Sequence, residues 1–150
     1  MTSPLRTPED YELFLYTLPD QFESIRNSTV TFVRRGNSLA RVSGEITFDH
    51  EIRLVIIERI LFDRLPALID AYGYEVWRAE EKLYWYDSQA HPNDESLQIT
   101  QPHHKHVPPD IKHNRVPAPE MSFSAPNLHA LIEEIEDLIE TIEAGNPQAN

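Results

Sequence analysis

The run Glu51–Phe62, Glu-Ile-Arg-Leu-Val-Ile-Ile-Glu-Arg-Ile-Leu-Phe, decides the fold. It is the longest apolar stretch of the chain, and its periodicity alone leaves a helix open. Its branched residues and the turn signals on either side favour a central strand. On the N-terminal side, Asp49-His50 reads as a tight turn. Before it, Ala40–Phe48 carries Val42, Ile46 and Phe48, and Arg35-Gly36-Asn37-Ser38 is a turn cluster. Ser28–Arg34 alternates Val30 and Phe32 with Thr29 and Thr31, the two-residue period of a half-buried strand. On the C-terminal side, Ala71–Arg78 and Lys82–Tyr86 form a hairpin across Ala79-Glu80-Glu81. Five short strands in hairpin succession predict an antiparallel meander.

Glu58 interrupts the apolar run. It either faces solvent or is a buried carboxylate that needs a partner. The outward position is the commoner outcome, because carboxylates are almost never fully buried unpaired.

Both flanks of the sheet read as helical. Tyr11, Phe14 and Leu15 keep helical spacing after Thr7-Pro8, a cap followed by a first-turn proline. Pro19 then breaks the helix before Phe22 and Ile25 resume it. Near the other end Leu128, Leu131, Ile132, Ile135, Leu138, Ile139 and Ile142 follow i, i+3, i+4, i+7 without a miss. Asn127 suits the N-cap and Gly145-Asn146-Pro147 the stop. The expectation is an α+β fold: an N-terminal helical segment over 1–27, a single α+β domain over 28–145 whose C-terminal amphipathic helix, 127–143, packs on one face of the sheet, and a disordered tail over 146–150.

A chain of 150 residues fits one domain with a core of its own. It has no cysteine, which removes disulfides, thiolate metal sites and a cysteine nucleophile together. The polar start Met1–Asp10 does not read as a signal peptide, so none is expected, and no apolar run reaches the roughly 20 residues of a membrane span. A cytoplasmic protein without a membrane partner is expected. The formal net charge of -12 excludes non-specific coating of nucleic acid, which needs a positive surface. The charge is uneven. Six acids and no Lys or Arg follow Asn127, whereas Lys105, Lys112 and Arg115 share the stretch His103–Arg115 with four histidines. The acidic helix face is either solvated or meets a basic partner.

Between the sheet and the last helix, 87–124 shows little periodicity, and its prolines forbid a long regular element. Loops of that length are usually functional or disordered. This one carries the strings Tyr86-Asp87-Ser88-Gln89-Ala90-His91-Pro92 and Gln101-Pro102-His103-His104-Lys105-His106-Val107. Histidine is the side chain best suited to proton transfer near neutral pH. In an extended segment His104 and His106 project to one side, His103 and Lys105 to the other. Asp87 and His91, at the exit of the last strand, can fold back against them.

Three chemistries stay open. One is a metal-independent acid–base site acting on a phosphodiester, with His91, His104 or His106 moving protons, Lys105 stabilising charge and Asp87 orienting a histidine. Another is a metal site of three histidines and Asp87, although the spacing fits no specific zinc signature and no metal or cofactor is assigned. In the last, the histidines are structural and hydrogen-bond backbone groups beneath a proline-rich loop. Tyr72, Tyr74, Trp77, Trp85 and Tyr86 either pack a sheet face or stack on bases. Arg34, Arg35 and Arg41 flank one turn and read as a solvated hairpin tip.

The order Phe48-Asp49-His50, Ile57-Glu58-Arg59, Tyr72-Gly73-Tyr74, Tyr86-Asp87, His91-Pro92 and Pro102-His103-His104-Lys105-His106 resembles the TumE family of bacterial toxin–antitoxin proteins. The resemblance spans roughly Ser28–Glu143. Where the family pattern has Asp-Asn-Ala-Pro-His-His, this chain reads Asp87-Ser88-Gln89-Ala90-His91-Pro92. The resemblance implies a small toxin neutralised by a cognate helix-turn-helix antitoxin. An action on RNA extends that implication, with Asp87, His91, His104, Lys105 and His106 as catalytic residues and Trp85, Tyr86, His103 and Arg115 as substrate-binding ones. Self-association into a homodimer stays open. The competing expectation is a non-enzymatic binding module, or a degenerate toxin, that uses the sheet face or the acidic helix.

Overall fold

A computed structural model of the protein describes residues 3–88, 103–111 and 114–145. The architecture is α+β. A single-turn 3-10 helix at Pro4–Arg6 precedes α1 (Pro8–Tyr16) and α2 (Leu18–Gln21). The strands are β1 (Asn27–Ser28), β2 (Thr31–Arg35), β3 (Leu39–Thr47), β4 (Ile52–Leu61), β5 (Leu68–Arg78), β6 (Glu81–Asp87), β7 (His104–His106) and β8 (Arg115–Pro117), and α3 (Leu128–Glu143) follows. They form one 8-stranded sheet in the order β1-β3-β4-β5-β6-β7-β8, with β2 also on the edge of β3. Every pairing is antiparallel, as hairpin connections require.

The meander is as expected, but it has more than five strands. The predicted strand Ser28–Arg34 is two, both in one register on β3, interrupted at Thr29–Val30 where the backbone of Gly44 passes close by. The other addition is β7 and β8, inside the stretch read as irregular. Three residues are too few to show a period, so only the free edge of β6 makes strands of them.

The helix signals act as read. Thr7 Oγ1 accepts from Asp10 N at 3.1 Å and Pro8 occupies the first turn. The break falls at Thr17, just ahead of Pro19. On α3 the apolar stripe buries Leu128, Leu131, Ile132 and Ile135, each worth about 1.5–3 kcal/mol relative to exposure. Asn127 differs from expectation. It stands at the N-cap position without a side-chain cap bond, because its amide donates to Tyr74 Oη at 3.0 Å and accepts from Ser122 N at 2.9 Å.

The core lies between the sheet face of Ala40, Val42, Leu54, Ile56, Tyr74 and Val76 and the helices. Glu58 belongs to this face and is fully buried, which corrects the expectation of an outward carboxylate. In the register Val42↔Glu58↔Tyr72 it points inward like every other even-numbered residue of β4. Its oxygens accept from Tyr11 and Tyr74 hydroxyls, 2.5 Å each. No local pattern announces those partners, since Tyr11 comes from α1.

Candidate functional site: an aspartate–histidine cluster on the sheet face opposite the last helix

Alternation along β6 and β7 sorts the candidate residues. Tyr84 and Tyr86 take one side of β6; Trp85 and Asp87 take the other. Antiparallel register puts Asp87 opposite His104 and Trp85 opposite His106, so these four side chains share a face. Arg115 sits opposite His106 on β8 and joins them. The opposite side, toward α3, receives Lys105.

The resulting cluster is compact. His104 Nε2 lies 2.6 Å from Asp87 Oδ1, and His106 Nε2 lies 3.3 Å from Asp87 Oδ2. The two Nε2 atoms are 3.1 Å apart. The other ring nitrogen of His106, Nδ1, is 2.9 Å from the Ile111 carbonyl. A carbonyl only accepts, so that nitrogen carries a proton and donates. The indole of Trp85 stacks on His106 with centroids 3.9 Å apart, and its Nε1–H donates to Asp87 Oδ2 at 3.2 Å. Both histidines are buried, whereas the Asp87 side chain keeps 24% of its exposure. Burial pushes the His106 pKa below the usual imidazole value, outweighing the pull of Asp87 and of the Ile111 carbonyl in the other direction. His106 is therefore a neutral, lone-pair-bearing ring at neutral pH.

The structure thus brings together Asp87, His104, His106, Trp85 and Arg115. Arg115 Nε is buried with no hydrogen-bond partner among the described residues. Lys105 is elsewhere: its Nζ lies 3.5 Å from Glu134 Oε2 and over the Tyr84 and Tyr86 rings, at 4.4 Å and 5.1 Å. Tyr86 donates to the same Glu134 oxygen at 2.8 Å. His103 turns to the core side, where its Nδ1 is 2.6 Å from Tyr72 Oη and its ring lies parallel to that of Tyr72. Burial, and secondarily His104, lowers its pKa. His91 lies outside the described residues. Sequence reading missed the Ile111 carbonyl and Glu134. The carbonyl is backbone and leaves no compositional signal, and Glu134 is indistinguishable in sequence from any other acid of a solvated helix face.

The same face continues away from Asp87. The row Ser43↔Ile57↔Gly73↔Asp87↔His104 crosses five strands. A basin of about 530 Å³ lies over the Ile57 and Gly73 part of it, lined among others by Arg35, Arg41 and Arg59. Chemically, the cluster can shuttle a proton between two imidazoles held by one carboxylate, and it offers three donor atoms within 4.8 Å of one another to a cation. Among the described residues no helix is long and apolar enough to cross a membrane.

Comparison with known proteins agrees with the resemblance. No curated protein and no solved structure matches the chain. The family model described as Toxin TumE matches residues 15–139, from within α1 to within α3, and so takes in more of the N-terminal segment than the motifs alone suggested. That match covers the sheet, the aspartate–histidine cluster, α2 and most of α3, and the chain belongs to the TumE family of toxins, the toxin side of a toxin–antitoxin pair.

Proposed function

We propose that this toxin acts on RNA in the cytoplasm, by proton transfer at Asp87, His104 and His106. The observation that carries the reading is a single carboxylate bridging two imidazoles whose Nε2 atoms face each other at 3.1 Å. In the proposed reaction one Nε2 takes the proton of a ribose 2′-hydroxyl. The 2′-oxygen bonds to phosphorus, the bond to the departing 5′-oxygen breaks, and the other imidazole returns a proton to that oxygen. Asp87 holds both rings and balances the positive charge that develops between them. Arg115, beside His106, supplies the cation for the phosphate that Lys105, tied to Glu134 on the other side, is not positioned to supply. His91 remains a candidate member of the site. Tyr86 and His103 support it from behind through Glu134 and Tyr72.

Substrate approaches from the exposed side of Asp87 across the basin, where Arg35 and Arg41 are exposed. The cognate partner is proposed to be a helix-turn-helix antitoxin, for which the acidic outer face of α3 offers a counter-surface to basic residues. Glu133, Asp137 and Glu140 are exposed there. Self-association as a homodimer is compatible with this arrangement.

The test is induction in a bacterial host, with growth and total RNA followed for the wild type and for Asp87→Asn and His106→Gln. Growth arrest with fragmented RNA is expected for the wild type alone, with both variants folding normally by circular dichroism. Arrest that persists undiminished in folded variants would remove the cluster from the mechanism. Healthy cells with intact RNA under wild-type induction would leave partner binding as the function.

A further prediction concerns access. Among the described residues a Cβ on Gly73 meets nothing within 4 Å, so Gly73→Val is expected to fold with stability within about 0.5 kcal/mol of the wild type. It would also place two methyls in the basin beside Asp87 and blunt the growth arrest. A folded Gly73→Val chain as toxic as the wild type would show that substrate does not enter by this face.

A further inference from the structure

The cluster has a property that proton transfer does not require. With its Nδ1–H given to the Ile111 carbonyl, a neutral His106 presents a lone pair at Nε2, 3.3 Å from an Asp87 oxygen that is itself an acceptor and 3.1 Å from His104 Nε2. His104 Nε2 is 2.6 Å from the other Asp87 oxygen, so a proton holds ring and carboxylate together, and a cation that displaces it is met by three converging donor atoms. Metal-ligating histidines characteristically donate their other ring N–H to a backbone carbonyl or carboxylate, which fixes the tautomer and aims the ligating nitrogen. Ile111 stands in that relation to His106. The spacing also fits: two metal–nitrogen bonds of about 2.05 Å to atoms 3.1 Å apart subtend roughly 100°, between the octahedral and tetrahedral values. Two imidazoles and a carboxylate suit borderline divalent transition ions and leave positions for water, whereas magnesium prefers oxygen donors and its own hydration.

We propose that Asp87, His104 and His106 form a binding site for one divalent transition-metal ion of the zinc class. The site stands on donor geometry and holds whether or not the protein acts on RNA. Where the RNA reading also holds, the ion occupies the Nε2 lone pairs that proton transfer needs, so the ion-bound protein is the non-cleaving form.

Calorimetric titration of the full-length, EDTA-stripped protein with zinc chloride tests this. One ion per chain is expected, with Asp87→Asn and His106→Gln each weakening it about 100-fold or more, and magnesium chloride giving no comparable heat. Cobalt(II) provides a readout that needs no change to the cluster. In a Trp77→Phe chain the only indole is Trp85, stacked on His106, and one equivalent of cobalt should quench its fluorescence while a visible absorption band appears. Zinc binding no stronger than magnesium, binding undiminished in the two variants, or cobalt bound without quenching Trp85 would each overturn the site. Metal binding without RNA chemistry retires only the RNA reading, and RNA cleavage without metal binding retires only the ion site.

Discussion

Replacing both tyrosines that hold the buried glutamate, Tyr11→Phe with Tyr74→Phe, is expected to cost about 3–5 kcal/mol of stability at neutral pH, the range for a buried charge stripped of its partners. Glu58 is fully buried on the core face of β4, and its two oxygens accept from the two phenols at 2.5 Å. Burial raises its pKa, and the two hydrogen bonds pull the other way. The phenols are themselves driven well above the usual tyrosine value, by burial first and then by the Glu58 charge, so both stay protonated donors. Either single change should cost about 1.5–3 kcal/mol, the worth of one hydrogen bond to a charged group.

The pH dependence follows from the sign of the shift. A carboxyl whose folded pKa lies above its unfolded value stabilises the fold fully below the unfolded value. That contribution is lost as pH rises through the folded value. The wild type should therefore lose stability relative to Glu58→Gln as pH rises from about 4.3 upward. Without the phenols the folded pKa rises further, so the double variant should suffer least at acid pH. Urea melts across this range measure all of these. A Tyr74→Phe chain within about 0.5 kcal/mol of the wild type at pH 7, or a Glu58→Gln chain with an unchanged pH profile, would contradict the account.

Gly44→Ala is expected to be nearly as damaging, at about 3 kcal/mol or more, for an unrelated reason. Gly44 has φ +142°, a conformation L side chains rarely adopt, and its missing Cβ would lie 2.6 Å from the Thr29 carbonyl oxygen and 2.7 Å from the Val30 Cα. Those atoms are backbone where β1 gives way to β2, so they cannot rotate aside, and moving them disturbs the pairing of both strands with β3. Gly73→Ala is the matched control, with no atom of the described residues in the way and no unusual φ. Comparable denaturation midpoints for the two alanine variants would refute the steric argument.

These two sites mark the limit of sequence reading. Strand and helix positions were legible because each depends on neighbours within a few residues. The turn at Asp49-His50, the hairpin across Ala79-Glu80, the cap at Thr7 and the apolar stripe of α3 are all local signals. Gly44, by contrast, carries no mark of the strand that will cross it. Glu58 shows only that a charge interrupts an apolar run, and Tyr11, the residue that makes its burial tolerable, belongs to α1.

The candidate site divides the same way. The sequence by itself determined that, once the segment is extended, His104 and His106 share a side and Lys105 takes the other; that it is extended was decided by the free edge of β6. It also determined the family, through the order of its Tyr-Asp and Pro-His-His-Lys-His strings. Only the tertiary structure decided that β7 pairs with β6 in the register that sets Asp87 opposite His104, that Ile111 fixes the His106 tautomer, and that Arg115 rather than Lys105 accompanies the histidines. Three-residue strands have too few side chains to encode a register. The edge they add to, and the side chains already standing on it, choose one for them.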